Sequence, residues 1–196
     1  MSPDAVTFWD GTYAARPAPA DPRPNPRLTE AVATTPPGDA LDLGCGNGGD
    51  ALWLARRGWR VTATDISTVA LERLTDRGIT TRWHDLRDSF PPGEFDLVNA
   101  HYLHTPFDLD RAAVFRAAAH ALRPGGLLLV VDHGSAAPWS WDRQARFPGP
   151  REVADAIALD PTTWSVERAD SPSRVATGPD GNTAKVTDHV LLIRRA

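Results

Sequence analysis

Ala40-Leu41-Asp42-Leu43-Gly44-Cys45-Gly46-Asn47-Gly48-Gly49-Asp50 is the stretch on which the reading of this chain turns. An apolar run passes through closely spaced glycines into Ala51-Leu52-Trp53-Leu54-Ala55. That order predicts a buried strand, a tight turn and the first turn of a helix. Glycine suits a backbone that must turn sharply and come within contact distance of a ligand. The unpaired amides at the start of the following helix face the same place. Two spacings coexist. Gly44, Gly46 and Gly49 satisfy G-x-G-x-x-G, the dinucleotide pattern. Gly44, Gly46 and Gly48 satisfy G-x-G-x-G, preceded by an acid at Asp42. The glycines alone do not choose between these, nor against a turn that holds no ligand.

Downstream, a helix over 49–57 places Ala51, Leu52, Leu54 and Ala55 on one face and Arg56 and Arg57 where the helix dipole favours cations. Gly58 caps it. Trp59 to Thr64 reads as a second strand ending in Asp65, 17 residues after Gly48. An acid there can bind both hydroxyls of a ribose. Ser67 caps a helix through Arg77, which Gly78 ends. A short strand, Thr80 to Trp83, leads to His84-Asp85-Leu86, and Phe95 to Ala100 is a fourth strand. A helix from about Asp110 to Leu122 follows. Arg123-Pro124-Gly125-Gly126 then turns into Leu127 to Asp132, whose continuous apolar character suits a central parallel strand covered on both faces.

Upstream, residues 4–14 form a short helix in which Trp9 and Tyr13, four apart, share a face. That face either packs on the core or forms a flap over a ligand. Arg16 to Pro26 holds five prolines and reads as extended linker. Asn25-Pro26 caps a helix with Leu28, Ala31 and Val32 on its apolar side, ended by Pro36-Pro37-Gly38. At the other end come a helix over 150–159 and two strands, 164–168 and 184–194, separated by the turn-rich 178–182. The alternation predicts an α/β fold, a doubly wound Rossmann-like sheet with helices on both faces and the last strand antiparallel.

A chain of 196 residues, 41% hydrophobic and 23% charged, reads as a single globular domain. Its net charge of -4 offers no basic field to a nucleic-acid backbone, so no nucleic-acid partner is expected. Cys45, the one cysteine, excludes internal disulfides and Cys-cluster metal sites, and no metal is expected. With no segment of membrane-spanning length and no leader pattern, the expectation is a cytoplasmic protein, monomer or homodimer, without a membrane partner.

Asp42-Leu43-Gly44-Cys45-Gly46-Asn47-Gly48, Asp65-Ile66-Ser67, His84-Asp85-Leu86, Phe95-Asp96-Leu97-Val98 and Leu122-Arg123-Pro124-Gly125-Gly126 stand in order along the chain. Together they resemble the class I S-adenosylmethionine-dependent methyltransferases. More narrowly, the chain is similar to the bacterial branch with tellurite-resistance and thiopurine-type enzymes. Trp9, Asp10 and Tyr13, with Pro24-Asn25-Pro26, resemble the N-terminal segment of that branch. The strong motifs cover residues 40 to 132.

The resemblance implies a seven-stranded sheet and S-adenosyl-L-methionine as cofactor. It implies Gly44, Cys45, Gly46 and Gly48 wrapped around it and Asp42 near its ammonium end. It places Asp65 on the ribose, Ile66 against adenine, Asp85 and Leu86 on the adenine edge, and Ala100 along the methionine part. Residues 1–38 would then supply a flap and helix, 39–132 the cofactor core, and 133–196 the acceptor-side loop and closing strands.

Ligands of such sheets lie beyond the carboxyl ends of the strands. His101, Tyr102 and His104 follow the fourth strand and His133 the fifth, so these face the methyl acceptor, expected to be a small molecule with an S, O or N nucleophile. A thiolate acceptor needs no base, whereas a hydroxyl or ammonium must lose a proton. His104 and His133 are the candidate catalytic residues for orientation or proton removal. Ala137-Pro138-Trp139-Ser140-Trp141 with Phe147 either walls the acceptor pocket or packs on the last helix. The absence of the N-P-P-Y pattern at Asn99-Ala100-His101-Tyr102 argues against nucleic-acid amino groups as acceptors. Two other readings stand beside this one: an NAD-dependent oxidoreductase using the other glycine spacing, and a cofactor-binding module without turnover.

Overall fold

Ala40, Leu41 and Leu43 are apolar on both sides of the backbone, so strand β1 (Asp39–Leu43) needs cover on both faces and lies inside a parallel sheet. The computed structural model, which describes residues 4–75, 77–140, 143–178 and 180–196, builds that sheet. Around β1 stand β2 (Arg60–Asp65), β3 (Thr80–Trp83), β4 (Phe95–His101), β5 (Leu122–His133), β6 (Trp164–Asp170), β7 (Ser173–Thr177) and β8 (Thr183–Arg195). The sheet order is β3-β2-β1-β4-β5-β8-β6, with β7 paired to β8. β1 to β5 run parallel to one another, and β8 is antiparallel to β5 and β6.

The strand period of two sorts β5 into two cores. Leu127, Leu129 and Val131 meet helices α2 (Pro26–Ala31), α3 (Gly49–Arg56) and α4 (Thr68–Glu72) through Leu28, Leu54 and Leu71. Leu128 and Val130 face the other way, toward Phe115 and Ala118 of α5 (Arg111–His120) and Val153 and Ile157 of α6 (Pro150–Ile157). Helix α1 (Ala5–Ala14) belongs to neither core and buries only Ala5.

The doubly wound sheet, the antiparallel closing strand and the helices on both faces agree with expectation. Four details differ. The tail holds an extra strand, β7, because residues 173–177 fold back on the first half of β8. The helix after Ser67 ends at Glu72 rather than Arg77, and the helix after Asn25 ends at Ala31, before the prolines. Leu122 already pairs with Phe95, so Arg123 to Gly126 is a bulge within β5 rather than a turn ahead of it.

Candidate functional site

Three glycines set the floor of the site. Gly44, Gly46 and Gly48 have φ of 70°, 50° and 76°, the left-handed region that L side chains avoid. Gly49 instead opens α3 in ordinary helical geometry. A Cβ there would sit 2.2 Å from the Arg23 carbonyl, so its bareness admits the N-terminal linker. The alternating G-x-G-x-G is therefore the set that shapes the turn. A Cβ on Gly46 would lie 2.9 Å from the Tyr13 hydroxyl, and one on Gly48 2.2 Å from Leu74.

Beyond the carboxyl ends of the parallel strands lie two adjoining cavities. One, of about 100 Å³, is lined by Asp65, Ile66, Asp85, Leu86, Arg87 and His104. The other, of about 450 Å³, is lined by Asp42, Cys45, Gly46, Asp50, His101 and Arg174. Trp9, Tyr13, Gly44 and Tyr102 border both. The crevice is thus continuous from the tip of β2 to the tip of β4, and α1 roofs it. The roof is fastened by Asp10, which accepts from Ser67 Oγ at 2.7 Å and from the Val69 amide at 3.3 Å. Arg73 donates to the Tyr13 and Arg16 carbonyls at 2.6 and 2.9 Å. The Trp9–Tyr13 face thus lines the crevice and is part of neither core.

Carboxylates dominate this crevice. Asp65 Oδ2 accepts from the Gly46 amide and Oδ1 from the Ser67 amide, each at 2.9 Å. Burial nevertheless raises its pKa, against those hydrogen bonds. Asp85 is held by Arg87, Nε to Oδ1 at 2.9 Å and Nη2 to Oδ2 at 2.5 Å, which lowers its pKa. Asp42 is almost wholly buried and accepts from Asn99 Nδ2 at 2.6 Å. Burial, with the Asp50 charge nearby, pushes it up to about 7. Asp42 Oδ2, Asn99 Oδ1 and His101 Nε2 are buried without a hydrogen-bond partner. Groups so placed are costly unless something satisfies them.

The structure redistributes the residues after β4. His101 lines the crevice, Asn99 lies buried on the same face against Asp42, and Ala100 between them points to the opposite face, among Leu43, Val114 and Val130. Ala100, expected along the methionine part, therefore turns its side chain into the core. His101 sits beside α3, its Nδ1 2.7 Å from Asp50 Oδ2. Gly48 shapes the turn without bordering either cavity. Tyr102 takes φ of 52° and stacks on His133 at 4.3 Å. His104 lies 5.8 Å from His133 ring to ring, with its Nε2 3.2 Å from Asp132 Oδ1. Arg111 holds both Asp132 oxygens at 2.6 Å. Burial first, then proximity to His104, lowers the pKa of His133, which favours its neutral imidazole. The two candidate catalytic histidines and Tyr102 form one stack beside the crevice.

A third cavity, of about 280 Å³, opens past His133 between the loop after β5 and the β7–β8 hairpin. Trp139 and Phe147 line it, so the aromatic loop walls a pocket; Trp141 lies outside the described residues. Arg174, Asp188 and Arg27 escaped the sequence reading. Asp188 accepts from Arg174 Nε at 2.9 Å, Arg27 Nε at 3.3 Å and the Tyr102 hydroxyl at 2.9 Å. Each stands alone in a polar stretch, and no local pattern marks a pairing across 161 residues. The Asp50–His101 pair had a signal, since both flank recognised motifs. Among the described residues there is no group of metal-ligating side chains, and no helix is long and apolar enough to cross a membrane.

Residues 40–126 match the family model described as a methyltransferase domain. The chain is 35% identical over 109 residues to a ribosomal RNA small subunit methyltransferase C from Alcanivorax borkumensis, covering 48% of this chain and 32% of that protein. It is 37% identical over 122 residues to 27-O-demethylrifamycin SV methyltransferase from Amycolatopsis mediterranei, covering 54% and 44%. The alignments thus span a third to under half of these relatives' length. Among solved structures, one described under the conversion of a disulfide bond into a thioacetal group during echinomycin biosynthesis superposes with TM-score 0.74 and 26% identity. It covers 97% of this chain and 92% of that one. A matched core and a matched near-full-length structure lead to one conclusion: residues 40–126 carry a methyltransferase domain, in a chain similar to S-adenosylmethionine-dependent methyltransferases.

Proposed function

We propose that this protein transfers a methyl group from S-adenosyl-L-methionine to the S, O or N nucleophile of a small molecule. The observation that carries the reading is the run of carboxylates Asp42, Asp50, Asp65 and Asp85 along one crevice, over a glycine floor. An anionic crevice suits a ligand that is a sulfonium and an ammonium at once. Asp65 keeps lone pairs beyond its two amide bonds for ribose hydroxyls. Asp42 Oδ2 and Asn99 Oδ1, buried acceptors without donors, await the α-ammonium. Ile66 and Leu86 supply apolar cover for adenine, and Asp85 an acceptor for its amino group. Trp9 and Tyr13 close the roof.

When bound, the cofactor supplies an activated methyl group on sulfur. The chain's part is to hold the acceptor in line and keep water out, a contribution of roughly 7–11 kcal/mol when orientation is complete. Tyr102, His104 and His133 border the place where the two ligands meet. A neutral His133 accepts a proton from a hydroxyl or ammonium acceptor. In this reading the first 38 residues act as roof, 39–132 as cofactor core and 133–196 as acceptor side. The rifamycin relative and the echinomycin-related structure both concern small molecules, which supports the acceptor class.

Calorimetry with S-adenosylmethionine and with NAD, then release of S-adenosylhomocysteine over a panel of thiols, phenols and amines, tests the proposal. Binding and acceptor-dependent release of the methylated product support it. Binding without release on any acceptor would leave a cofactor-binding module, and NAD binding alone an oxidoreductase. Unchanged turnover in both His104→Ala and His133→Ala removes the histidines from the mechanism.

A further inference from the structure

We propose that the cavity of about 280 Å³ beside His133 is the acceptor subsite, and that it selects a flat apolar molecule bearing a carboxylate, held by Arg174. Its identity as an acceptor site rests on the methyltransferase reading; its preference for an aromatic acid does not.

Position comes first. Arg174 borders both this cavity and the crevice cavity that holds Asp42 and Asp50. The partition between the two is the Tyr102–His133 stack, rings 4.3 Å apart. A molecule in the outer cavity therefore reaches the crevice along the edge of His133.

Charge comes second. The crevice is lined by carboxylates, whereas the described lining of the outer cavity contains none. Its ionised side chain is Arg174. Asp188, fully buried, already faces two guanidinium groups, those of Arg27 and Arg174. Arg174 spends Nε on Asp188 and Nη2 on the Tyr102 hydroxyl at 3.1 Å, and its other N–H donors remain. The serines of the lining point the same way. Ser135 Oγ accepts from the Thr187 amide at 2.9 Å and Ser140 Oγ from the Ala137 amide at 3.0 Å. Each spends one of its two lone pairs on backbone and keeps its O–H to donate to a ligand. A cationic side chain, two hydroxyl donors and no carboxylate in the described lining complement a carboxylate. A guanidinium fork matches that planar group in two parallel hydrogen bonds.

Shape comes third. Trp139 lies against Gly178, where a Cβ would come within 2.7 Å of the indole, and Phe147 packs 5.4 Å from both His133 and His104. Aromatic walls take up a ring. The volume lies at the small end of ligand pockets, enough for one or two fused rings.

The test uses 2-naphthoate and its neutral analogue naphthalene-2-carboxamide, titrated calorimetrically into the full chain with and without S-adenosylhomocysteine. The expected result is that naphthoate binds at least tenfold tighter than the carboxamide. Arg174→Gln is expected to bring that ratio to about one, and Arg174→Lys to retain part of it. Trp139→Ala is expected to weaken both ligands and leave the ratio intact. Thermal unfolding of each variant separates lost binding from lost folding. Equal binding of acid and amide, a ratio that survives Arg174→Gln, or no binding of naphthoate overturns the proposal. Naphthoate binding in a protein that does not take S-adenosylhomocysteine would instead overturn the methyltransferase reading and keep the anion site.

Discussion

The carboxylate of Asp65 accepts a hydrogen bond from the backbone amide of Gly46 at 2.9 Å, across 19 residues. The acid at the tip of β2 therefore shapes the glycine turn as well as facing the crevice. Asp65→Ala leaves the Gly46 and Ser67 amides unpaired, at a cost of about 1–3 kcal/mol each. The variant is expected to unfold at lower denaturant and to bind S-adenosylmethionine at least tenfold more weakly, which is about 1.4 kcal/mol. Asp65→Asn keeps one acceptor oxygen and should lose less stability. Urea unfolding paired with calorimetry checks both arms.

Asp42 makes stability depend on pH near neutrality. Burial first, then the Asp50 charge, raises it to about 7. The unfolded value is about 3.9. Between these values the folded protein binds more protons than the unfolded chain, so stability falls as pH rises. The contribution is complete below about pH 4 and gone above about pH 7. Asp42→Asn should gain on the wild type from pH 5 to pH 7, by at most about 1.4 kcal/mol per pH unit. His84 and His133, both lowered chiefly by burial, act with the opposite sign below about pH 6.5. They are common to both proteins and cancel in the difference. Denaturation curves at pH 5, 6, 7 and 8 supply the measurement, and a flat difference refutes the assignment.

Gly48→Ala is expected to cost more stability than Gly46→Ala. Both have positive φ, but the new Cβ at 48 meets the Leu74 side chain at 2.2 Å, and that at 46 meets the end of Tyr13 at 2.9 Å. Backbone strain of about 1–3 kcal/mol applies to each. The core clash falls only on Gly48, since Tyr13 sits on the roof helix. Gly46→Ala should thus lose cofactor affinity with the milder drop in Tm, and adding Tyr13→Phe should restore part of it. Thermal unfolding and ligand titration of the three variants decide.

Asp188→Asn removes the one carboxylate between Arg27 and Arg174. Breaking a buried pair from one side costs about 3–5 kcal/mol. The Tyr102 hydroxyl, which burial and the Asp188 charge push up to about 12, then shares a single neutral amide oxygen with the two guanidinium groups. A fall in Tm of at least several degrees is expected, with weaker acceptor binding from a displaced Tyr102–His133 stack. A Tm within one degree of wild type would show that the network carries no stability.

What the sequence by itself determined is the part of this protein built from neighbours in the chain. Strand period, glycine turn, helix caps at Asn25 and Ser67, and the acids at the strand tips are local chemistry, and each lies where residue order puts it. The doubly wound sheet follows because a parallel strand covered on both faces reads as an unbroken apolar run, as Leu127 to Val131 does. Only the tertiary structure decided that Ala100 turns its back on the crevice and that His101 answers Asp50. It also brought Arg174 from a hairpin of exposed, alternating residues to the tip of β4. Those are pairings between residues far apart in the chain, set by the register and rotation of whole elements. No local pattern encodes them, because the free energy that fixes them is that of the packed sheet.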